Sequence, residues 1–397
     1  MILTQEQERA VEIIIERFKN NEKYTVISGF AGTGKSSTVR YAIERLKEKC
    51  KINPEYEVAY ACFTGKACQV LIDKGNKNAV TLHRLLYNYR QKADGTFVKI
   101  RKATLDYRIV VVDEVSMVSK ELVEALLSYK GVYIIFLGDE FQLPPISEKD
   151  DNHLLDNPHA RLTKILRQTE GNSIIDLSTL IREGKDFSNF NDSDAMVIKS
   201  SELTDQMLLW SDIVLCGKNK TRTELNHRIR KLQGRTGILE DGEVLINLHN
   251  DWDKISDEGN ALTNGIIGTF HNFFENMFYV PNYVAVNGNK VYTYNGIFKS
   301  GDESFGSLEI DKELLKTGTP ALNNKQRYLI KKAKKYNNKP PYEFDYGYAI
   351  TVHKSQGSQW NNVIIKEEWL MGDNDLSHRR WLYTGVTRAI SKCIIVR

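Results

Sequence analysis

The run Gly29-Phe30-Ala31-Gly32-Thr33-Gly34-Lys35-Ser36-Ser37 constrains what this chain can fold into more than any other stretch. Tyr24-Thr25-Val26-Ile27-Ser28 precedes it and reads as a buried strand, and Thr38 to Lys49 carries helical spacing. Gly, four residues and Gly-Lys-Ser between a strand and a helix make a phosphate cradle. Its glycines let backbone N–H groups turn inward around the β-phosphate, and Lys35 can bridge the β- and γ-phosphates. The Ser36 hydroxyl is placed to ligate Mg²⁺ at a helix N-terminus. Gly32, Thr33, Gly34, Lys35, Ser36 and Ser37 are therefore the expected nucleotide contacts.

A chain of 397 residues has room for two or three domains, each with its own core. The formal charge of +4 permits a nucleic-acid partner without demanding one, so any such site must be local. Five cysteines without a C-x-x-C pair fit a reducing compartment and disfavour a disulfide framework or structural zinc. The N-terminus lacks a charged segment followed by an apolar one, and no apolar run approaches membrane-spanning length. A cytoplasmic protein with no membrane contact is expected.

Thr4 and Gln7 form a capping box opening an amphipathic helix; the Gln7 amide has in addition the paired donor and acceptor needed to read an adenine edge. Val58 to Phe63 reads as a strand ending at Thr64-Gly65-Lys66, where Thr64 and Lys66 either cap a helix or hold a strand phosphate. Thr81-Leu82-His83-Arg84-Leu85-Leu86 gives another polar start to an apolar run, in which a lone histidine, His83, is more often a satisfied surface or core group than a ligand. Asp94-Gly95, ahead of Phe97-Val98, signals a β-hairpin, either a surface decoration or a wedge pressing Phe97 or Tyr89 on a base pair.

Ile109-Val110-Val111-Val112-Asp113-Glu114 reads as a central parallel strand with two carboxylates at its ligand-facing end. Asp113 can hold Mg²⁺ through water, and Glu114 can orient or deprotonate the attacking water, which selects hydrolysis. Gln142, past the strand Val132 to Leu137, is a loop residue or a γ-phosphate sensor; Arg167 is a solvated cation or a γ-phosphate ligand. In the second half, Asp212 to Cys216 reads as the first strand of a second domain. Alternating stretches between Asn264 and Pro341, punctuated by Asn287-Gly288 and Asn295-Gly296, read as an all-β insertion. Val363-Ile364-Ile365 and Ile394-Ile395-Val396 return the chain to α/β, and Trp360 is expected in the core.

The order of these motifs resembles the superfamily 1 helicases, specifically the RecD/Dda-like branch, superfamily 1B. The likeness rests on Leu3 to Gln7, Gly29 to Ser37, Phe63 to Ala67, Thr81-Leu82-His83 and Val112-Asp113-Glu114. It continues through Gly138 to Pro144, Leu166-Arg167-Gln168, Tyr348 to Gly357 and Tyr383-Thr384-Gly385-Val386-Thr387-Arg388-Ala389. The resemblance implies an α/β protein of two RecA-like P-loop NTPase domains, with a β-hairpin insertion in the first and a small SH3-like β-barrel in the second. The expected domains are residues 1–86 with 108–200, the hairpin 87–107, 201–263 with 345–397, and the barrel 264–344. It further implies ATP and Mg²⁺ as cofactors, with Gly357 near the nucleotide and Arg167 and Arg388 reaching the γ-phosphate. Thr64, Lys66, His83, Thr351, His353 and Lys354 are then strand contacts, and Phe97 belongs to the wedge. The expected partners are single-stranded DNA, single-strand/duplex junctions and a replication or recombination protein. Travel is expected 5′ to 3′; an RNA-directed motor and a nucleotide-switched clamp are the alternatives.

Overall fold

Short runs of β-branched residues build the first sheet from β1 (Tyr24–Gly29), β2 (Val58–Cys62) and β3 (Ala79–Thr81), then β6 (Ile109–Val112), β7 (Tyr133–Gly138) and β8 (Ala160–Leu162). A two-stranded antiparallel ribbon, β4 (Tyr87–Gln91) and β5 (Phe97–Arg101), branches off between β3 and β6. The sheet order is β3-β2-β6-β7-β1-β8, parallel throughout. β6 and β7 are buried along their whole length because helices cover both faces. Helices Gln5–Lys19 and Lys35–Cys50 pack Ile14, Val39, Ile43 and Leu46 on one face; Leu82–Leu86 and Lys120–Leu127 pack Leu85, Leu122 and Leu126 on the other. The computed structural model describes residues 3–63, 67–68, 71–72, 75–76, 78–91, 97–144, 151–165, 172–282, 284, 290–332, 339–372 and 374–397.

The second sheet takes β9 (Ala195–Ile198), β10 (Ile213–Cys216), β18 (Ala349–Thr351), β19 (Trp360–Lys366) and β20 (Ala389–Val396), parallel in the order β18-β10-β19-β20-β9. It begins earlier than expected. β9 pairs with β20, and helix Ser173–Glu183 shares a core with Trp381 and Tyr383, so the boundary moves from residue 200 to before Ser173. The apolar run at β10 lies inside the sheet, whereas β9 is a half-buried edge, and a boundary read from the stronger strand overshoots. Trp360 is half-buried against this core.

Between β10 and β18 lie β11 (Glu243–Asn247), β12 (Asp251–Ile255), β13 (Ala261–Leu262), β14 (Ile267–Tyr279), β15 (Lys290–Ser300), β16 (Glu303–Asp311) and β17 (Phe344–Tyr346). Five of these form an antiparallel sheet in the order β16-β15-β14-β11-β17; β12 and β13 pair separately. A bridge between Ile310 and Tyr342 brings the two edges together. The sheet therefore starts at Glu243, directly after Asp241-Gly242 and ahead of the expected residue 264, because β11 takes its partners from β14 and β17, both distant in the chain. The buried Arg230–Glu243 pair, at 2.9 Å, ties it to helix Asn219–Leu232. Phe270, Phe298 and Phe344 share one apolar core with Val214 of the second parallel sheet and with Leu225 and Ile229 of helix Asn219–Leu232.

Cys62, Cys68, Cys216 and Cys393 are buried and Cys50 is half-buried, all as free thiols. Among the described residues no helix is long and apolar enough to cross a membrane.

Candidate active site between the two parallel sheets

β1 lies inside its sheet, between β7 and β8, and releases the chain into the cradle at its carboxyl end, where open α/β sheets bind ligands. Gly32 and Gly34 adopt φ of 83° and 80°, which a side chain would resist, and Gly34 leads directly into helix Lys35–Cys50. Lys35 Nζ donates to Gly29 O at 2.6 Å and Phe30 O at 3.1 Å, so the ammonium rests against its own loop. Gln7 is buried beneath the cradle. Its Nε2 donates to Thr33 O at 3.2 Å and its Oε1 accepts from Thr4 N–H at 3.1 Å. Each polar atom thus has a protein partner, and reading a base would fall to the amide's second hydrogen and lone pair.

Asp113 and Glu114 follow β6. Ser36 is exposed and lines the same cleft as Asp113, which fits a divalent cation held by one hydroxyl and one carboxylate. No cluster of three or more His, Cys, Asp or Glu that could hold a metal occurs among the described residues. A hydroxyl and a carboxylate are hard oxygen donors of the kind Mg²⁺ accepts beside phosphates and water. Ser37 is half-buried one residue on. Glu114 sits at φ 56°, ψ 44°, a left-handed conformation rare outside glycine, and its N–H donates to Asp113 Oδ1 at 2.9 Å. Such strain concentrates at functional positions.

The second sheet reaches Gln142, Leu143, Asp139 and the cradle through helix Asp375–Val386 and the residues after it. Arg388 is buried, with Nε donating to Thr384 O at 3.1 Å, Nη1 to Ser358 O at 3.3 Å and Nη2 to Thr387 Oγ1 at 3.1 Å. With the Gln142 amide oriented to give both ends complementary partners, its nitrogen donates to Glu114 Oε2 at 2.9 Å. Its oxygen then accepts from Arg388 Nη2 at 3.3 Å. An unbroken series, Glu114 to Gln142 to Arg388, therefore crosses from one lobe to the other.

Further contacts brace this crossing. Leu143 N–H donates to Thr384 Oγ1 and Gln356 Nε2 donates to Leu143 O, each at 3.0 Å. The Tyr383 hydroxyl donates to Asp139 Oδ2 at 2.7 Å and accepts from Ala31 N–H at 3.0 Å. Burial pushes the Asp139 carboxyl above its usual range, opposed by the Lys35 ammonium and the Tyr383 hydrogen bond. Arg182 lies 3.6 Å from the ring centre of Phe30 in the cradle, a cation stacked across the lobe boundary. Sequence reasoning assigned no role to Asp139, Tyr383, Thr384, Gln356 or Arg182. The first four sit inside matched motifs; Arg182 carries no sequence signal beyond a helix end before Gly184.

The expected strand contacts lie elsewhere. Thr351 caps helix Val352–Ser355, its Oγ1 accepting from Lys354 N–H at 3.4 Å. Burial and the neighbouring Arg222 push the Lys354 ammonium below its usual range, with Asp345 opposing. Arg222 is itself paired with Asp345 at 2.8 Å. His353 is half-buried on the same turn, and Gly357 follows at φ 76°. The His83 ring lies 6.2 Å from that of Phe63 and 6.3 Å from that of Tyr87. Phe97 begins β5 opposite Gln91, but its side chain lies outside the described residues, as do Thr64, Lys66, Arg167 and the Asp94-Gly95 turn.

Residues 2–197 match the model of an AAA domain, and residues 346–396 match that of a UvrD-like helicase C-terminal domain. The chain is similar to the RecBCD enzyme subunit RecD of Mycobacterium tuberculosis, 27% identical over 451 residues that cover 98% of this chain and 68% of that protein. It is also similar to the ATP-dependent DNA helicase dda of Enterobacteria phage T4, 29% identical over 196 residues, 46% of this chain and 43% of that protein. A solved structure, Pif1 helicase from Bacteroides in complex with ADP-AlF3 and ssDNA, shares the fold at a TM-score of 0.52 and 20% identity, covering 100% of this chain and 92% of that one. With a phosphate cradle in one lobe, a buried arginine from the other and matches across both, the similarities support an ATP-dependent DNA helicase of the RecD/Dda-like kind, superfamily 1B.

Proposed function

We propose that this ATP-dependent DNA helicase travels 5′ to 3′ along single-stranded DNA and opens duplex at single-strand/duplex junctions. The observation that carries this reading is the Glu114–Gln142–Arg388 series, which joins the hydrolytic carboxylate of one lobe to a cation of the other. Bound Mg-ATP supplies the γ-phosphoryl group and a metal that neutralises charge developing on it. Ser36 and Asp113 hold that metal, Lys35 steadies the β- and γ-phosphates, and Glu114 orients and deprotonates the attacking water. Gln142 passes the loss of the γ-phosphate to Arg388, with Arg167 as the second arginine. Thr64, Lys66 and His83 grip the strand from the first lobe and Thr351, His353 and Lys354 from the second. Alternation of these two grips moves the strand.

In this reading the β4–β5 ribbon is the wedge, with Phe97 at the base pair, and the closed antiparallel sheet is an SH3-like barrel. Deleting residues 94–98 should reduce strand separation at least tenfold while leaving DNA-stimulated ATP hydrolysis within twofold of native. Unwinding at full speed would exclude the wedge. Polarity is tested by strand displacement on substrates bearing only a 5′ or only a 3′ tail, in DNA and in matched RNA. Unwinding of the 5′-tailed DNA alone is expected. Activity on the 3′ tail alone would reverse the polarity, equal activity on RNA would remove the DNA preference, and hydrolysis indifferent to added strand would favour a clamp.

A further inference from the structure

Tyr383 belongs to the second lobe, yet its hydroxyl works inside the first. The ring is buried, edge-on to Phe141 at 5.3 Å between centres. Its oxygen accepts from Ala31 N–H, in the middle of the phosphate cradle, while its O–H donates to Asp139 Oδ2. Asp139 Oδ1 is taken by Phe141 N–H at 3.0 Å, so each carboxylate oxygen has a partner and neither can be surrendered cheaply in a buried site. Ala31 N–H, Tyr383 O–H and Asp139 form a donor series in which each bond polarises the next.

The position of Tyr383 on its helix gives this series a consequence. Thr384, the next residue, accepts from Leu143 N–H beside Gln142, and Arg388 follows a turn later with its Nε on Thr384 O. Arg388 lies just past the helix end but is bound back to it, its N–H on Gly385 O at 3.1 Å and its Nε on Thr384 O, so moving it toward or away from the cleft together with the helix displaces the Tyr383 hydroxyl, and with it the Ala31 amide. Backbone amides in such a loop are what phosphates bind.

We propose that Tyr383 is a positioning residue that couples the cradle to the second lobe. Its hydroxyl, bonded at once to Ala31 N–H and Asp139, transmits the filling of the cradle to the segment that bears Arg388. This rests on the ATPase reading above. Nucleotide and strand then strengthen each other's binding, and by linkage the factor is the same in both directions.

Tyr383→Phe removes one oxygen and keeps the ring against Phe141. Asp139→Asn replaces an acceptor with an amide and breaks the same series without touching the ring. The readout is the affinity of a fluorescent oligothymidylate with and without a non-hydrolysable ATP analogue, beside steady-state ATPase and Tm. In the native protein the analogue should change oligothymidylate affinity by about 5- to 150-fold. In both variants that factor should fall to within about twofold of unity, with kcat reduced up to about 10²-fold and KM for ATP changed less than about threefold. If Tyr383→Phe fails to fold, Asp139→Asn decides. Native-like coupling in the folded variants overturns the proposal, even if Tm falls, whereas a native protein without ATPase activity overturns the underlying reading instead.

Discussion

Arg388→Ala lowers DNA-stimulated ATP turnover by about 10³- to 10⁵-fold, the expected cost of removing an arginine that neutralises charge on a transferring phosphoryl group. Arg388 is buried, and three of its nitrogens are oriented by Thr384, Ser358 and Thr387, so the guanidinium is fixed before any phosphate is present. Lysine restores charge but not the fork, and Arg388→Lys is expected within tenfold of the alanine variant. Binding of a fluorescent ADP should change less than tenfold, since the diphosphate lacks the group this arginine serves. A kcat within tenfold of native in a folded Arg388→Ala protein would remove Arg388 from the reaction.

Glu114→Gln carries the second large effect. Proton transfer by a positioned group contributes about 10²- to 10⁴-fold, and turnover should fall by that factor. The substitution preserves volume and the left-handed backbone at φ 56°, and the new amide can still meet Gln142. Binding of ATP should therefore persist while hydrolysis slows, so that equilibrium binding and single-turnover measurements separate. Normal single-turnover hydrolysis would defeat the assignment and shift the search for the base to another group.

Much of the first lobe was legible because local sequence and tertiary role coincide there. Val26, Val110–Val112 and the cradle glycines declare strand and turn directly, and the carboxylates after β6 fall where a parallel sheet offers its ligand edge. The lobe boundary was less legible, since β9 is an edge strand and helix Ser173–Glu183 shows its allegiance only through Trp381 and Tyr383. β11 was missed for a related reason: it gains its partners from β14 and β17, both distant in the chain. Within the site, the roles of Lys35, Asp113 and Glu114 could be proposed from spacing alone. The contacts of Gln142 with Arg388, of Tyr383 with Ala31 and of Arg182 with Phe30 could not, because no periodicity records which residues meet across a cleft.

The aromatic core that unites Phe270, Phe298 and Phe344 with Val214 and Ile229 leaves no soft layer between the antiparallel sheet and the second lobe. Close-packed interiors transmit strain instead of absorbing it. Any swing of that lobe about the nucleotide must therefore sweep the whole β-domain along as a lever, turning a small rotation beside Arg388 into a longer stroke at the outer end of β14 and β15.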